Sequence, residues 1–304
     1  MPNFIRPICS GLVFLPLMAI SICSAAYANA SPIASNSPKD NIHPNIDHHL
    51  SESLYPDEAN ITEKIADIIE LSIRKEYSTG IALRDAHPKA HGCVRAEFKV
   101  DEALPKNLAQ GVFLPGKTYQ AWIRFSNGSK DAQQADIKKD ARGMAIKLLG
   151  VPGEKLLDDE TSTQDFIMIN HPVFFVNDPV RYMSFMQDIN SDRFFNKLHI
   201  PFALGAKGTW IALNTRNKIS NSLQTRYWSM VPYQLGIGTD RQAIKYSVQA
   251  CSTVTDPLPH APHHNFLREK LRQHLQKSKA CMEFLVQPRT SNTMSVEDSM
   301  TEWQ

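Results

Sequence analysis

The sequence predicts an α+β fold, an antiparallel β-sheet or barrel with helices attached. Three observations carry this. Several well-separated runs alternate apolar and polar residues, two stretches place apolar residues at helical spacing, and no strand–helix–strand rhythm of a doubly wound sheet occurs. The 304 residues show no internal repeat and carry a net charge of +2 with no basic block, which argues against nucleic acid as a partner.

The elements follow in order. Ile61, Ile65, Ile68, Ile69 and Ile73 recur at helical spacing, with Asn60 placed to cap and Glu63 in the first turn, so a helix is expected over Ile61 to Glu76 with Gly80 ending it. Period-two alternation then marks three strands, through Val94, Ala96, Phe98 and Val100, through Tyr119, Ala121, Ile123 and Phe125, and through Met144, Ile146 and Leu148. Further strands are expected at Tyr227 to Leu235, Ala243 to Cys251 and Cys281 to Val286, with Gly236 to Asp240 as a hairpin connection. Helices are expected at Pro179 to Asp188 and Asn265 to Lys277.

The N-terminus has a different character. Arg6 precedes an apolar run from Leu12 through Ile22, followed by small residues at Ala26-Tyr27-Ala28 and Ala28-Asn29-Ala30. The run is shorter than the roughly 18 residues that span a bilayer, so residues 1–30 read as a signal peptide. The expectation is a secreted or periplasmic chain with no membrane span in its mature form. Residues 31–60, rich in Ser, Pro, Asn and His without periodicity, read as a mobile linker, and 61–304 as the folded domain. Removal of the leader leaves Cys93, Cys251 and Cys281, which an oxidising compartment allows to form one disulfide, its partners open. No Cys-x-x-Cys occurs, and the His-bearing stretches near His48 and His263 read as solvated loops, so no metal site is expected.

Three stretches carry chemistry: Arg84-Asp85-Ala86-His87, Arg124-Phe125-Ser126 and Asn170-His171-Pro172-Val173-Phe174-Phe175. The strand period places Arg124 and Ser126 on one face and Phe125 on the other, so a cation and a hydroxyl share a space unsuited to a plain core. Each stretch alone also fits a polar strand end or loop. Together they supply an imidazole base, a hydroxyl to orient it, an amide for a polar ligand and two guanidiniums.

Their order and spacing, together with Asp140-Ala141-Arg142-Gly143-Met144-Ala145-Ile146-Lys147, resemble the catalase superfamily, whose members write Asp-Pro-Arg-Gly-Phe-Ala-Val-Lys and Asn-Asn-Thr-Pro-Val-Phe-Phe-Ile-Arg-Asp-Pro at these places. Lys89 to Cys93 and Arg124 to Gly128 are similar to a subgroup of smaller catalase-like proteins. The resemblance implies a catalase-like antiparallel β-barrel holding haem b, with peroxide or a small hydroperoxide as substrate. It implies His87 as distal base, Ser126 as its hydrogen-bond partner, Asn170 as distal amide, Arg84 and Arg124 on the propionates, and Tyr182 in place of a porphyrin-stacking phenylalanine. His91 competes with His87 for the base, and the Arg84 spacing favours His87.

Two departures stand out. Asn170 lies one residue nearer its proline than in the family, and no tyrosine follows an arginine by four positions, the pattern that supplies the family's axial ligand. The expectation is therefore an incomplete barrel, with either a hydroperoxidase completed by a homo-oligomer or complementing chain, or a non-catalytic haem-binding relative or truncated remnant.

Overall fold

The computed structural model describes residues 46–153, 155 and 161–304; the expected leader lies outside them. Four helices, α1 (Glu58–Glu76), α2 (Pro179–Ile189), α3 (Phe194–Thr215) and α4 (Phe266–Lys277), accompany one antiparallel sheet of β1 (Ala90–Lys99), β2 (Thr118–Asn127), β3 (Arg142–Leu149), β4 (Thr163–Ile169), β5 (Tyr227–Trp228), β6 (Tyr233–Leu235), β7 (Gln242–Ala250) and β8 (Met282–Pro288). The α+β class holds. Strands β1 to β4 pair in sequence order, β5 follows β4, β7 lies beside both β5 and β6, and β8 covers the other side of β7.

The expected barrel is not closed among the described residues, since β1 and β8 do not pair. Beside β1 lies α4 instead: Leu271 presses on Gly92, and Arg268 Nη2 donates to the Ala90 carbonyl at 2.9 Å. A side-chain donor on an edge carbonyl satisfies a group that another strand would otherwise pair.

Alternation sets which face is core. In β2, Tyr119, Ala121, Ile123 and Phe125 are buried on one side, and the same phase in β3 buries Met144, Ile146 and Leu148. These residues pack with an aromatic cluster in which Phe166 meets Phe284 edge-on at 4.9 Å and Phe98 meets Phe284 at 5.2 Å. Edge-on rings of this kind add to the area they bury.

Four expectations need correction. Helix α1 begins at Glu58 with Asp57 at its cap, a turn before Asn60, whose amide instead donates to Asp57 at 2.8 Å. From Ile46 on, the stretch expected as a linker is held to the body: Arg241 pairs with Asp47, Leu50 is buried, and Arg289 Nη1 donates to the Leu50 carbonyl at 2.9 Å. The strand expected over Tyr227 to Leu235 is split into β5 and β6 at Met230, whose φ of 60° breaks an extended run. Finally β4 and α3 form where no element was expected. The disulfide joins Cys251 to Cys281 across the paired ends of β7 and β8.

Candidate active site on the outer face of the sheet

His87, Arg124 and Ser126 meet on the face of the sheet opposite the core. Register aligns Ser126 with Gly143 and Arg124 with Ala145 across β2 and β3, and Arg124 with Cys93 across β1 and β2. Directly opposed residues in an antiparallel pair project to the same side, so Cys93, Arg124, Ser126, Gly143 and Ala145 share one surface. Gly143 and Ala145 give it a low floor.

His87 lies over that floor. Its Nδ1 is 3.0 Å from Ser126 Oγ, its own N–H is directed at the Gly128 carbonyl at 3.4 Å, and Arg124 Nη2 donates to its carbonyl oxygen at 2.6 Å. Its φ of 59° is a conformation that residues with a side chain adopt rarely, and these three contacts hold it there. The ring fits because residue 143 has no side chain. A Cβ at Gly143 would stand 2.6 Å from His87 Nδ1 and 2.8 Å from Ser126 Oγ.

Electrostatics keep this imidazole neutral. Burial first, then the Arg124 and Arg84 guanidiniums, lower His87 from 6.5 to about 4. Neither arginine forms an ion pair with a carboxylate among the described residues, and burial followed by the charge of Arg84 lowers Arg124 from its ordinary value. Two neighbouring guanidiniums without a counter-charge make a half-built site for an anion that accepts paired N–H donors.

His91, the competing base, is used up elsewhere. It is 2 % exposed, with Nδ1 at 2.9 Å from Ser222 Oγ and Nε2 at 2.7 Å from Asn127 Oδ1. Around it Asn127 Nδ2 donates to Asp136 at 3.1 Å, Lys89 pairs with Asp136 at 2.8 Å, and fully buried Arg142 donates to Asn127 and to the carbonyls of Asp136, Lys138 and Asn217. This is a densely hydrogen-bonded interior network, in which the buried Arg142 Nε is left without a partner among the described residues.

Asn170 and Tyr182 are placed differently from His87. The Asn170 carbonyl oxygen accepts the Arg142 N–H at 2.7 Å and its amide donates to the Thr215 carbonyl at 3.2 Å, so both ends bind backbone. It ties β3 to the end of α3. Tyr182 belongs to a ring cluster with Phe174, Phe175 and Phe185, and burial followed by the charge of Asp85 raises its hydroxyl above its ordinary value. Asp85 is in turn hydrogen bonded by Ser72 of α1 at 3.2 Å, which ties the connection from α1 to β1, the His87 loop, back to the helix.

Site and topology together define an antiparallel-sheet protein with a neutral, hydroxyl-oriented histidine beside two arginines. The family description Catalase matches residues 69–197. Within the aligned stretches the chain is 31% identical over 110 residues to a catalase of Latilactobacillus sakei and 31% identical over 104 residues to a catalase of Ascaris suum, covering 36% and 34% of this chain. These stretches span 21% and 17% of those relatives, so the chain matches only a small part of their length. Two solved structures share the fold at 17% identity: a fungal catalase with a TM-score of 0.59 and catalase A of Saccharomyces cerevisiae with 0.55, each over 83% of this chain and 51% and 53% of theirs. By these matches the chain is similar to catalases over residues 69–197 and shares their fold.

Proposed function

We propose that this chain is a haem-dependent hydroperoxidase of the catalase type, acting on hydrogen peroxide or a small organic hydroperoxide. The observation that carries the reading is the neutral His87 imidazole, bonded to Ser126 through Nδ1 and flanked by Arg84 and Arg124. The donors on this side suit haem b: its two carboxylates match guanidiniums that lack a carboxylate partner among the described residues. No group of three or more potential metal ligands occurs among the described residues. When bound, haem supplies the redox centre that cleaves the peroxide O–O bond.

The chain's own residues handle the proton. His87 is neutral at pH 7, so Nε2 can take a proton from the peroxide oxygen nearest it and return it to the departing oxygen. Ser126 fixes which ring nitrogen faces the substrate. Arg84 and Arg124 orient the dianionic edge of the cofactor by paired N–H donors. An exported location and completion by a second copy or another chain belong to the same reading, supported by the leader-like N-terminal pattern and the unclosed sheet.

A second reading, a haem-binding relative without turnover, is favoured by the Asn170 side chain, whose oxygen and one N–H are held by the Arg142 and Thr215 backbone. One experiment separates the two. The full chain is loaded with hemin and assayed for peroxide consumption, beside the His87→Ala and His91→Ala variants. The hydroperoxidase reading expects the His87 variant to lose about 10² to 10⁴ in rate while still taking up hemin. Hemin uptake with no turnover in the parent chain supports the second reading. Activity that survives in the His87 variant and is lost in a folded His91 variant refutes the assignment of the base.

A further inference from the structure

We infer that α3 is a docking surface for an anionic lipid bilayer, on which the helix lies flat. The helix turns small residues inward together with Leu204 and Ile211. Ala203, Gly208 and Thr215 are buried, and Gly208 approaches the Phe175 carbonyl so closely that a Cβ there would be 2.4 Å from it. Its largest apolar residues point to solvent: Phe194, Phe195 and Phe202 are 68%, 80% and 79% exposed, and Trp210 and Leu213 are 63% and 65% exposed. Phe194, Leu198 and Phe202 recur every fourth residue as one stripe of the first half, and beyond the break at Gly205, Trp210 and Leu213 face outward together. Exposed apolar surface of this density marks an interaction site.

Charge selects the occupant. From Arg193 to Lys218 the chain carries Arg193, Lys197, Lys207, Arg216 and Lys218 and no Asp or Glu, although the whole sequence has 33 basic and 31 acidic residues. Arg216 also donates to the Lys139 carbonyl at 3.4 Å, which brings the exposed Lys138 and Lys139 to the same end. A second copy of the helix would set these cations against each other. Asp298 pairs with Lys207 at 3.9 Å and Asp192 adjoins Arg193, but no acid lies within the helix itself, and Phe, Trp and Leu tips beside the remaining cations match the acyl boundary and headgroups of an anionic membrane surface. The helix does not span it. No helix among the described residues is long and apolar enough to cross a membrane.

The test uses the full chain throughout, so the N-terminal apolar run is common to every sample. Vesicles of phosphatidylcholine with and without phosphatidylglycerol are sedimented with the parent chain, a Phe194→Ser/Phe195→Ser/Phe202→Ser variant and a Lys197→Gln/Lys218→Gln variant. The parent should bind the phosphatidylglycerol vesicles, the triple variant about 100-fold more weakly, and the charge variant about fivefold more weakly per lysine removed. A conservative change guards against a variant that merely fails to fold. Brominated acyl chains should quench the parent's tryptophan emission, and Trp210→Phe, which keeps the apolar surface, should abolish that quenching while still binding. Equal vesicle binding by parent and triple variant, or quenching unchanged in Trp210→Phe, overturns the proposal. So does an absence of vesicle binding in a parent chain whose self-association the triple variant abolishes, which would assign the face to a second copy.

Discussion

Replacing Gly143 with Ala adds one methyl group at the point where the candidate site is tightest. The new Cβ would stand 2.6 Å from His87 Nδ1, 2.7 Å from Cε1 and 2.8 Å from Ser126 Oγ, whereas non-bonded carbon contacts are comfortable at about 3.5–4.0 Å. The neighbours on this side are the ring and a hydroxyl, and the ring is anchored by Ser126 at 3.0 Å, by the Arg124 guanidinium on its carbonyl and by a φ of 59°. Relief therefore requires the ring to retreat by about 1 Å, which separates it from Ser126. A misplacement of about 1 Å at a catalytic group costs on the order of 10² in rate. The backbone gains from the change, since Gly within a strand is about 0.5–1 kcal/mol less favourable than Ala. The expected result is a chain that melts near the parent temperature, takes up hemin and turns over peroxide about 100-fold more slowly. Ser126→Ala, which removes the hydroxyl without moving the ring, should lose less. Full turnover in a folded Gly143→Ala variant would refute the placement of the His87 ring as the working base.

Two more outcomes are expected. If Arg84 and Arg124 bind the two carboxylates of the cofactor, Arg124→Ala and Arg84→Ala should each weaken hemin binding by about 1.5–3 kcal/mol, Arg124→Lys should recover part of it, and Arg95→Ala, whose guanidinium stacks 5.0 Å over Trp122, should leave it unchanged; identical titration curves for all would sink the clamp. Stability should fall as pH drops from about 6.5 toward about 4, because His87 in the folded chain resists protonation down to about 4 while the unfolded chain takes up the proton near 6.5. Burial likewise lowers His91, so a His87→Gln/His91→Gln pair should flatten that part of a melting-temperature profile, and a slope unchanged by the pair would contradict it.

Much of this was legible in the sequence where one face of an element is apolar and the other is not. Strands β1 to β3 alternate cleanly, and α2 and α4 carry a simple stripe. Strand β4 hid because Phe166 and Met168 point into the core while Ile167, half exposed, points out, so apolar residues occupy both faces and the period vanishes. Helix α3 hid behind Pro201 and Gly205, which read as breakers, and behind large apolar residues on its solvent side. His87, Ser126 and Arg124 came from spacing and family resemblance, and the structure brings them together. Nothing in the sequence signalled that the Asn170 side chain also bridges the Arg142 N–H and the Thr215 carbonyl, since that depends on how α3 ends beside β3. Gly143 was visible in a motif, but its role as the space for a ring depends on the pairing of Ser126 with Gly143 across two strands.

The Asp136 carboxylate also bears on when the site can form. It joins Lys89, two residues beyond His87, and Asn127 at the end of β2 to the Leu267 N–H at 3.0 Å, and its own N–H donates to the His264 carbonyl at 3.0 Å. One partner that completes this junction, Leu267, is therefore 131 positions further along the chain. During synthesis, the segment that holds His87 is made long before α4 exists to close over it, and until then Asp136 has fewer donors than it finds in the folded chain. Asp136 therefore gains its full set of donors only after α4 has been made, although the His87 loop is encoded long before it. An interrupted chain ending before α4 would carry every residue of the proposed proton relay without the scaffold that fixes it.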